Sequence, residues 1–543
     1  MGQAAAVLRP HAPAPQPTAA VRQVDWRFLL PAPDGAFERL ILHGGSPALE
    51  ATVRDLGLAA EIVSDPTDPV AGEAVIALAG ASVSPERLTA EVADTGALYW
   101  EIDRRLPGNL VLTPARVFER LAASGLTPTA AYWVKPGFPE RQMYLPIASP
   151  AAFRWYLNTL YGTHTRHRRI LKRLLGAVAG TGRLGTVAPC FVVTAVRGAV
   201  RPPALVEAVG AAQAWGEGKA HPVLLASATA EWSRVALLLF GDDEAAIPTL
   251  LKLPRIDAFN AQVAWEHRVV QTLHRKLSPS LRGSIPTSRL TEWNGLTVAT
   301  ETYMTGAALS SRVGRTTIEA LEDLRLAASW LAAFHHETTV DRATGSGWLK
   351  QHLVTGLCRE YAQTFRLSTA ESHLFEVVGR SAAACALASL PLAWHHTDFG
   401  PWNVYRDGND LRVIDWEVAR VGPVLADLMY FAAHWSAAVR NLTTDAERIA
   451  HCVSLLCTRT AADPLSRAIR EELAGYMHRV GLHASLFPFV LVYTFVEQAL
   501  DLAQRFASIG ADAADRDGNT YVGYVHALAE HTDTLFGGEA HVR

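Results

Sequence analysis

Cysteine is scarce in this chain, and the cysteines that occur are scattered. The 543 residues include 5 cysteines, at positions 190, 358, 385, 452 and 457, and none of them forms a C-x-x-C pair. This pattern excludes a disulfide scaffold and a cysteine-rich zinc module. It is typical of proteins in a reducing compartment, so we expect a cytoplasmic location.

An excess of charge of one sign is also absent. Lys plus Arg is 50 and Asp plus Glu is 53, which gives a formal net charge of −3. Such a balance offers no overall electrostatic reason to expect a nucleic-acid partner. Hydrophobic residues make up 49% of the chain, which is enough for large buried cores and excludes wholesale disorder.

Long apolar runs are missing as well. The longest, Leu486 to Val496, contains Pro488 and ends at Glu497. It is too short to span a bilayer, so it predicts a buried helix and no transmembrane segment. Residues 1–22 are rich in Ala and Pro and lack the apolar centre of a signal peptide, which predicts a disordered tail.

The remaining sequence divides into blocks of different pattern. In residues 23–200, short apolar strands alternate with segments of helical periodicity, which predicts a doubly wound parallel sheet. Residues 201–220 begin with Pro-Pro and become rich in Gly and Ala, as expected of a linker. Residues 221–305 contain several further strands, and residues 306–543 are mostly helical. The expected fold class is therefore α/β followed by α+β.

One polar segment combines the residue types that phosphoryl transfer needs. His396, Asp398 and Asn403 form the pattern H-x-D-x-x-x-x-N, and Asp415 ends an apolar strand after a short hairpin. In a kinase, one carboxylate accepts the proton of the attacking hydroxyl, while an amide oxygen and a second carboxylate hold magnesium. A loop followed by a tight hairpin can bring all these groups to one edge of a sheet.

This segment, together with Val418 to Leu428, resembles the aminoglycoside phosphotransferase and choline kinase group. The resemblance covers residues 221–535 and implies a two-lobed, protein-kinase-like fold, with an N-lobe at 221–305 and a helical C-lobe at 306–543. It implies that Asp398 is the catalytic base, with His396 beside it as the histidine that orders the loop. It further implies that Asn403 and Asp415 are magnesium ligands and that Asp427 holds the catalytic loop.

The same resemblance predicts the nucleotide-binding residues of the N-lobe. Lys252 lies in the apolar strand PTLLKLP and Glu266 lies in the next helix, where they would hold the phosphates and the lysine respectively. An edge-strand lysine that faces solvent is the alternative for Lys252. Thr302 and Met304 fall where the lobes are linked and the adenine would bind. Glycine is missing from the phosphate-covering turn, where the hydroxyls of Ser227 and Thr229 are the candidate substitutes.

Residues 23–200 weakly resemble the Rossmann domain of class I methyltransferases. Gly44 and Gly45 lie where a strand turns into a helix, the usual position of a ligand-binding glycine loop, although a plain turn explains them equally well. Glu101 and Asp103 at a strand end are further candidates. The alternative for them is a solvated strand end with a local Asp–Arg pair.

Taken together, these patterns predict an enzyme that moves the γ-phosphoryl group of ATP, with Mg²⁺, to a small-molecule hydroxyl. A sugar, an amino alcohol or an antibiotic would fit as acceptor, and His434, Trp435, Tyr493 and Glu497 are candidates for its pocket. Two alternatives stay open. The kinase module could be a nucleotide-binding regulatory pseudokinase, or the N-terminal domain could be an S-adenosylmethionine-dependent methyltransferase.

Overall fold

The computed structural model describes residues 21–31, 36–160, 170, 172–177, 184–199, 203–210, 220–226, 234–243, 246–311, 317–385, 388–458, 463–508 and 511–537. These residues form two compact units. The sheet unit contains residues up to 264 together with 288–303, and the helical unit contains 265–287 and 304 onwards. The chain therefore passes between the units at three points, one of which lies between Tyr303 and Met304.

The sheet unit is built from twelve strands and a smaller number of helices. The strands are β1 Phe37–His43, β2 Ala59–Ser64, β3 Gly72–Ala77, β4 Val92–Asp103, β5 Thr127–Lys135, β6 Met143–Pro146, β7 Cys190–Val196, β8 His221–Ala226, β9 Arg234–Phe240, β10 Thr249–Pro254, β11 Ser288–Trp293 and β12 Leu296–Thr302. The helices are α1 Pro47–Asp55, α2 Pro85–Glu91, α3 Pro114–Ala123, α4 Pro150–Thr159, α5 Leu184–Val187 and α6 Ala204–Ala208, with 3₁₀ turns at Val21–Phe28 and Asp257–Phe259.

All twelve strands belong to one sheet, in the order β11-β12-β10-β9-β8-β6-β5-β7-β4-β3-β1-β2. Strands β1 to β4 are parallel, as expected, and β7 runs antiparallel between β4 and β5. Helices cover both faces, because Leu49 of α1 packs into one core and Val117 of α3 into the other. The doubly wound part is thus seen at β1 to β4, while the specific resemblance to a methyltransferase domain stays a prediction.

The sheet continues across the segment that the sequence marks as a linker. Strand β6 pairs with β8 through Met143 with Leu225 and Tyr144 with Leu224. Within residues 201–220, residues Ala204–Ala208 form a helix whose Leu205 is fully buried. The predicted boundary therefore separates two sequence patterns and not two sheets. The edge of a strand carries unpaired backbone N–H and C=O groups. Pairing of β6 with β8 satisfies these groups on both strands.

The segment before β1 also departs from the expected tail. Residues 1–20 lie outside the described residues, but Val21 and Arg22 begin the 3₁₀ turn, and Val21 is buried. Asp25 in this turn accepts hydrogen bonds from Nε and Nη2 of the Arg255 guanidinium, at 2.8 Å each. Both side chains are fully buried. This ion pair ties the N-terminal segment to the residue that follows β10.

The helical unit carries six short strands and most of the helices. The strands are β13 Ala307–Ala308, β14 Thr339–Thr344, β15 Ser389–His395, β16 Val404–Asp407, β17 Asp410–Val413 and β18 Arg420–Pro423. Helix α7 Asn260–Lys276 enters from the sheet unit and is followed by α8 Pro279–Arg282, α9 Thr317–Thr338, α10 Gly345–Trp348, a π-helix Leu349–Cys358, α11 Arg359–Thr364, α12 Thr369–Ser381, α13 Ala426–Val439, α14 Asp445–Leu456, α15 Pro464–Val480, α16 Phe487–Ser508, α17 Thr520–Ala529 and α18 Thr532–Phe536. Single 3₁₀ turns occur at Leu309–Ser311, Ala382–Cys385 and Ala484–Leu486.

Helix α16 contains the apolar run noted in the sequence. Among the described helices it is the one with the length and composition to cross a membrane, but 89% of its most apolar window is buried inside the protein. Its residues Phe487 to Asp501 are buried among the other helices of this unit. The expected buried helix is confirmed.

The continuous sheet predicts that residues 221–543 do not fold without residues 1–220. Removing the first part would expose the edge of β8 and remove most of both cores that cover the sheet. We expect the fragment to aggregate or to lack a cooperative thermal transition, and we expect the full chain to melt cooperatively. Size-exclusion chromatography and thermal melting check this, and a monomeric fragment with the melting temperature of the full chain would contradict it.

Candidate active site

The loop after β15 is held by a buried carboxylate. Asp427, at the start of α13, accepts hydrogen bonds from the backbone N–H groups of His396 (2.7 Å) and Thr397 (2.9 Å). Thr397 has a φ of 69°, a left-handed conformation that a β-branched residue rarely adopts. The side chain of Gln498, on α16, donates to the Thr397 carbonyl. The role of Asp427 in holding the loop is therefore confirmed.

His396 connects this loop to the strand that carries Asp415. Its Nε2 lies 2.8 Å from the carbonyl oxygen of Ile414, so Nε2 must carry the proton that is donated. Its ring packs on Trp416, with centroids 4.6 Å apart, and its side chain is fully buried. These contacts fit the predicted role of His396 in ordering the loop, which stays a prediction.

The carboxylate of Asp398 is approached by a donor on each oxygen. Oδ1 accepts a hydrogen bond from the Tyr430 hydroxyl at 3.1 Å, and Oδ2 accepts one from Asn403 Nδ2 at 3.0 Å. Burial is the largest influence on the carboxyl and raises its pKa, while the charge of His396 opposes this and that of Asp415 adds to it. A raised pKa suits a carboxylate that accepts a proton during the reaction.

Asn403 and Asp415 are the predicted ligands of a magnesium site. The Asn403 amide nitrogen also donates to the Asp398 carbonyl, at 3.0 Å, so the amide oxygen is the atom left for a metal. The Asn403 carbonyl accepts from the Ile414 N–H at 3.1 Å, which places the loop beside Asp415. Amide and carboxylate oxygens, completed by water and phosphate, are the ligands that Mg²⁺ prefers. The described residues contain no cluster of three or more His, Cys, Asp or Glu that could hold a metal.

Trp402 folds back over the loop that carries Asp398. A Cβ at Gly400 would lie 2.3 Å from Cε2 of the Trp402 ring, so only glycine leaves room for the indole there. The Trp402 side chain is 39% exposed and its Nε1 lies 3.5 Å from Asp398 Oδ2. The sequence Gly400-Pro401-Trp402 thus places an exposed aromatic face beside the carboxylate of Asp398.

Glu266 and Lys252 are both buried, each in its own unit. In the helical unit, Glu266 of α7 accepts a hydrogen bond from the backbone N–H of Trp416 at 3.1 Å, next to Asp415. In the sheet unit, Lys252 of β10 forms an ion pair with Glu301 of β12, with 3.1 Å between Nζ and Oε2. Glu301 as a partner was not foreseen. Lys252 is 9% exposed, so the alternative of a solvent-facing lysine is wrong.

The other predicted nucleotide-binding residues lie partly inside and partly outside the described part of the chain. Thr302 is the last residue of β12 and pairs with Thr249 of β10. Met304 is the first residue of the helical unit after the crossing, so these two residues flank a junction between the units, where the sequence places the link between the lobes. Ser227 and Thr229 lie outside the described residues. All four roles stay predictions.

The four acceptor-pocket candidates do not come together. His434 lies in the active-site region, with its ring 4.4 Å from that of Tyr430. Trp435 is buried and stacks on Phe431. Tyr493 donates a hydrogen bond to Glu497, which also pairs with Arg420 at 3.0 Å. Three of the four candidates, Trp435, Tyr493 and Glu497, are therefore buried side chains that pack inside the helical unit.

The candidate residues of the N-terminal block are bound to their neighbours. The Gly44 N–H donates to Asp65 Oδ1 at 3.0 Å, where a ligand would otherwise accept it. Glu101 is fully buried and pairs with Arg141 at 2.9 Å. Asp103 pairs with Arg105 at 2.7 Å, as the alternative for this strand end predicted. These contacts support structural roles and do not favour a cofactor site.

Two aromatic residues near Asp398 were missed by sequence reasoning. Tyr430 lies three residues after Asp427 on α13, and its hydroxyl lies 2.7 Å from that of Tyr521 on α17. Tyr521 is 91 residues further along the chain and belongs to no motif, so the sequence offers no signal for it. Tyr430 had one available signal, because positions i and i+3 of a helix share a face.

Comparison with protein families supports the predicted resemblance to small-molecule phosphotransferases. Residues 233–465 match the model of the phosphotransferase enzyme family, a stretch that makes up somewhat less than half of the chain. The match confirms the predicted resemblance for this part of the chain. No curated protein matches the chain.

Solved structures give weaker likenesses. A thermostable aminoglycoside phosphotransferase APH(4)-Ia mutant with ADP and hygromycin B is 14% identical, covers 62% of this chain and 100% of its own, and has a TM-score of 0.37. A putative fructosamine-3-kinase from Thermobifida fusca is 13% identical, covering 61% and 98%, and amicoumacin kinase hAmiN with AMP-PNP and Ca²⁺ is 9% identical, covering 59% and 90%; both have TM-scores of 0.37. These values are too low to transfer a substrate to this chain.

Asp427→Asn should destabilise the protein in a pH-dependent manner. Burial alone would raise the pKa of Asp427, but neighbouring histidines outweigh it and lower the pKa to about 2. A folded-state pKa below the unfolded value of about 3.9 stabilises the protein above that value, by about 2 kcal/mol, and the contribution is lost as pH falls toward the folded pKa. The stability gap between wild type and variant should thus be widest near neutral pH.

Thermal melting of both proteins across an acidic pH series measures this gap. The two stabilities should converge as pH falls from about 4 to about 2. A gap that stays constant over this range would contradict an ionised, hydrogen-bonded Asp427.

Proposed function

We propose that this protein is an ATP-dependent phosphotransferase that moves the γ-phosphoryl group to a hydroxyl of a small molecule. The observation that carries the proposal is the meeting of three groups in the helical unit. Asp398 and Asn403 are joined by a hydrogen bond, and the backbone of Asn403 bonds to the residue before Asp415. A base and two metal-binding oxygens in one place match the requirements of phosphoryl transfer.

In this proposal each residue has one task. Asp398 accepts the proton of the acceptor hydroxyl as its oxygen bonds to the γ-phosphorus, and the bond to the ADP oxygen breaks. Asn403 and Asp415 would hold Mg²⁺, which supplies positive charge to the phosphate oxygens. Lys252 would add a further positive charge at the phosphates, as the family resemblance implies. Asp427 and His396 keep the loop in the conformation that presents Asp398.

The surroundings of Asp398 favour an acceptor without several amino groups. The side chains that hydrogen-bond or pack around Asp398 and Tyr430 include those of Trp402, Asn403, His434 and Tyr521. Burial lowers the pKa of His434 to about 4, so this ring is neutral at neutral pH. An aromatic and amide lining suits a hydroxylated compound with an apolar face, whereas a polycation would need several carboxylates.

Asp398→Asn should separate chemistry from nucleotide binding. The amide keeps the size of the carboxylate but cannot accept a proton, so kcat should fall by about 10²- to 10⁴-fold. The affinity for Mg²⁺·ATP should change little, because the metal-binding oxygens belong to other residues. Phosphate release from ATP and calorimetric binding of ATP test this, and a variant with wild-type kcat would contradict the role of Asp398.

A panel of acceptors tests the expected substrate class. Neutral glycosides and nucleosides should be phosphorylated in preference to kanamycin, which carries several ammonium groups. Faster phosphorylation of kanamycin by the wild type would contradict the expected class.

Trp402→Ala should raise the KM for the best neutral acceptor about tenfold, the effect of losing one aromatic contact, and leave ATP binding unchanged.

A further inference from the structure

A chain of hydroxyl groups leads from the surface of the helical unit to the proposed catalytic base. Tyr521 of α17 is half-buried, and its hydroxyl lies 2.7 Å from that of Tyr430, which is buried on α13. The Tyr430 hydroxyl in turn lies 3.1 Å from Asp398 Oδ1. Neither tyrosine belongs to the segment that carries the family motif.

The direction of hydrogen-bond donation between the two hydroxyls follows from the group at the end of the series, which is the Asp398 carboxylate. An ionised carboxylate can only accept hydrogen bonds, so Tyr430 must donate its proton to Asp398. A hydroxyl has one proton, and that of Tyr430 is used, so Tyr521 must be the donor in the Tyr521–Tyr430 bond. The order of donation is therefore Tyr521 to Tyr430 to Asp398.

The carboxylate of Asp398 is consequently held from two sides. Asn403 binds Oδ2 and is part of the proposed metal site. Tyr430 donates to Oδ1 and lies on α13, the helix that carries Asp427 in its first turn. Without Tyr430, one oxygen of the carboxylate would lose its donor, and the group would have more freedom to rotate about its terminal bond.

We infer that Tyr430, supported by Tyr521, is a positioning residue that orients the Asp398 carboxylate toward the acceptor hydroxyl. The inference rests on the proposed phosphotransferase function and extends it to two residues of the C-terminal helices. Tyr430 would act through Asp398 and not on the substrate. Catalytic groups must be held to within a fraction of an ångström to be effective, and a hydrogen bond to a charged group is among the strongest means of doing so.

Magnesium-dependent ATP hydrolysis tests this inference, because water serves as the acceptor and no substrate needs to be known. Tyr430→Phe should lower kcat about tenfold, as expected for loss of one hydrogen bond to a charged group, and Tyr521→Phe should lower it about threefold. The KM for ATP should stay within about twofold in both variants, because neither hydroxyl is proposed to touch the nucleotide.

The double variant gives the sharpest readout. Since Tyr521 acts only through Tyr430, the Tyr430→Phe/Tyr521→Phe protein should have the kcat of Tyr430→Phe alone. Tyr524→Phe is the matched control: Tyr524 lies on the same helix as Tyr521 and stacks on Phe495 at 4.7 Å, outside the chain of hydroxyls. Its kcat should equal that of the wild type.

Several results would overturn the inference. One is wild-type kcat in Tyr430→Phe, and another is multiplication of the two single effects in the double variant. Loss of melting temperature or of ATP affinity in step with kcat would assign the hydroxyls to folding instead. Wild-type protein that binds Mg²⁺·ATP but hydrolyses none would also count against a well-oriented base. Wild-type protein that binds no Mg²⁺·ATP would instead refute the proposed function itself.

Discussion

The active-site region depends on the hydrogen bonds that the buried carboxylate of Asp427 accepts from the loop backbone. The carboxylate accepts two backbone N–H groups of the loop, and hydrogen bonds to a charged acceptor are roughly twice as strong as neutral ones. They offset the cost of the left-handed Thr397, which is about 1–3 kcal/mol. Asp427 and Tyr430 are one helical turn apart, so a single helix holds both the loop backbone and the Asp398 carboxylate.

The polar segment could be recognised from sequence because its function constrains residue types at short separations. His396, Asp398 and Asn403 lie within one loop, and the strand leading to Asp415 follows at once. The contacts of Asp427 with the loop agree with what the family resemblance implied, whereas the role of Glu266 in holding Lys252 stays a prediction. The roles of Lys252, Asn403 and Asp415 at the nucleotide likewise stay predictions.

The interactions that sequence reasoning missed share one property, which is their long range. Tyr521 reaches Tyr430 over 91 residues, and Asp25 reaches Arg255 over 230. The pairing of β6 with β8 likewise joins segments that differ in pattern. Local periodicity predicts the existence of a strand but not which edge it will pair with. For this reason the alternation of strands and helices was predicted while the continuity of the sheet was not.

The central claim is that Asp415 and Asn403 form the metal-binding part of an ATP site. Calorimetric titration of ATP into the full chain, with and without magnesium, tests it most directly when repeated with Asp415→Ala. The account predicts magnesium-dependent binding by the wild type and its loss in the variant, with the melting temperatures of the two proteins close to each other. Equal binding by both proteins, or no binding by the wild type, would contradict the account.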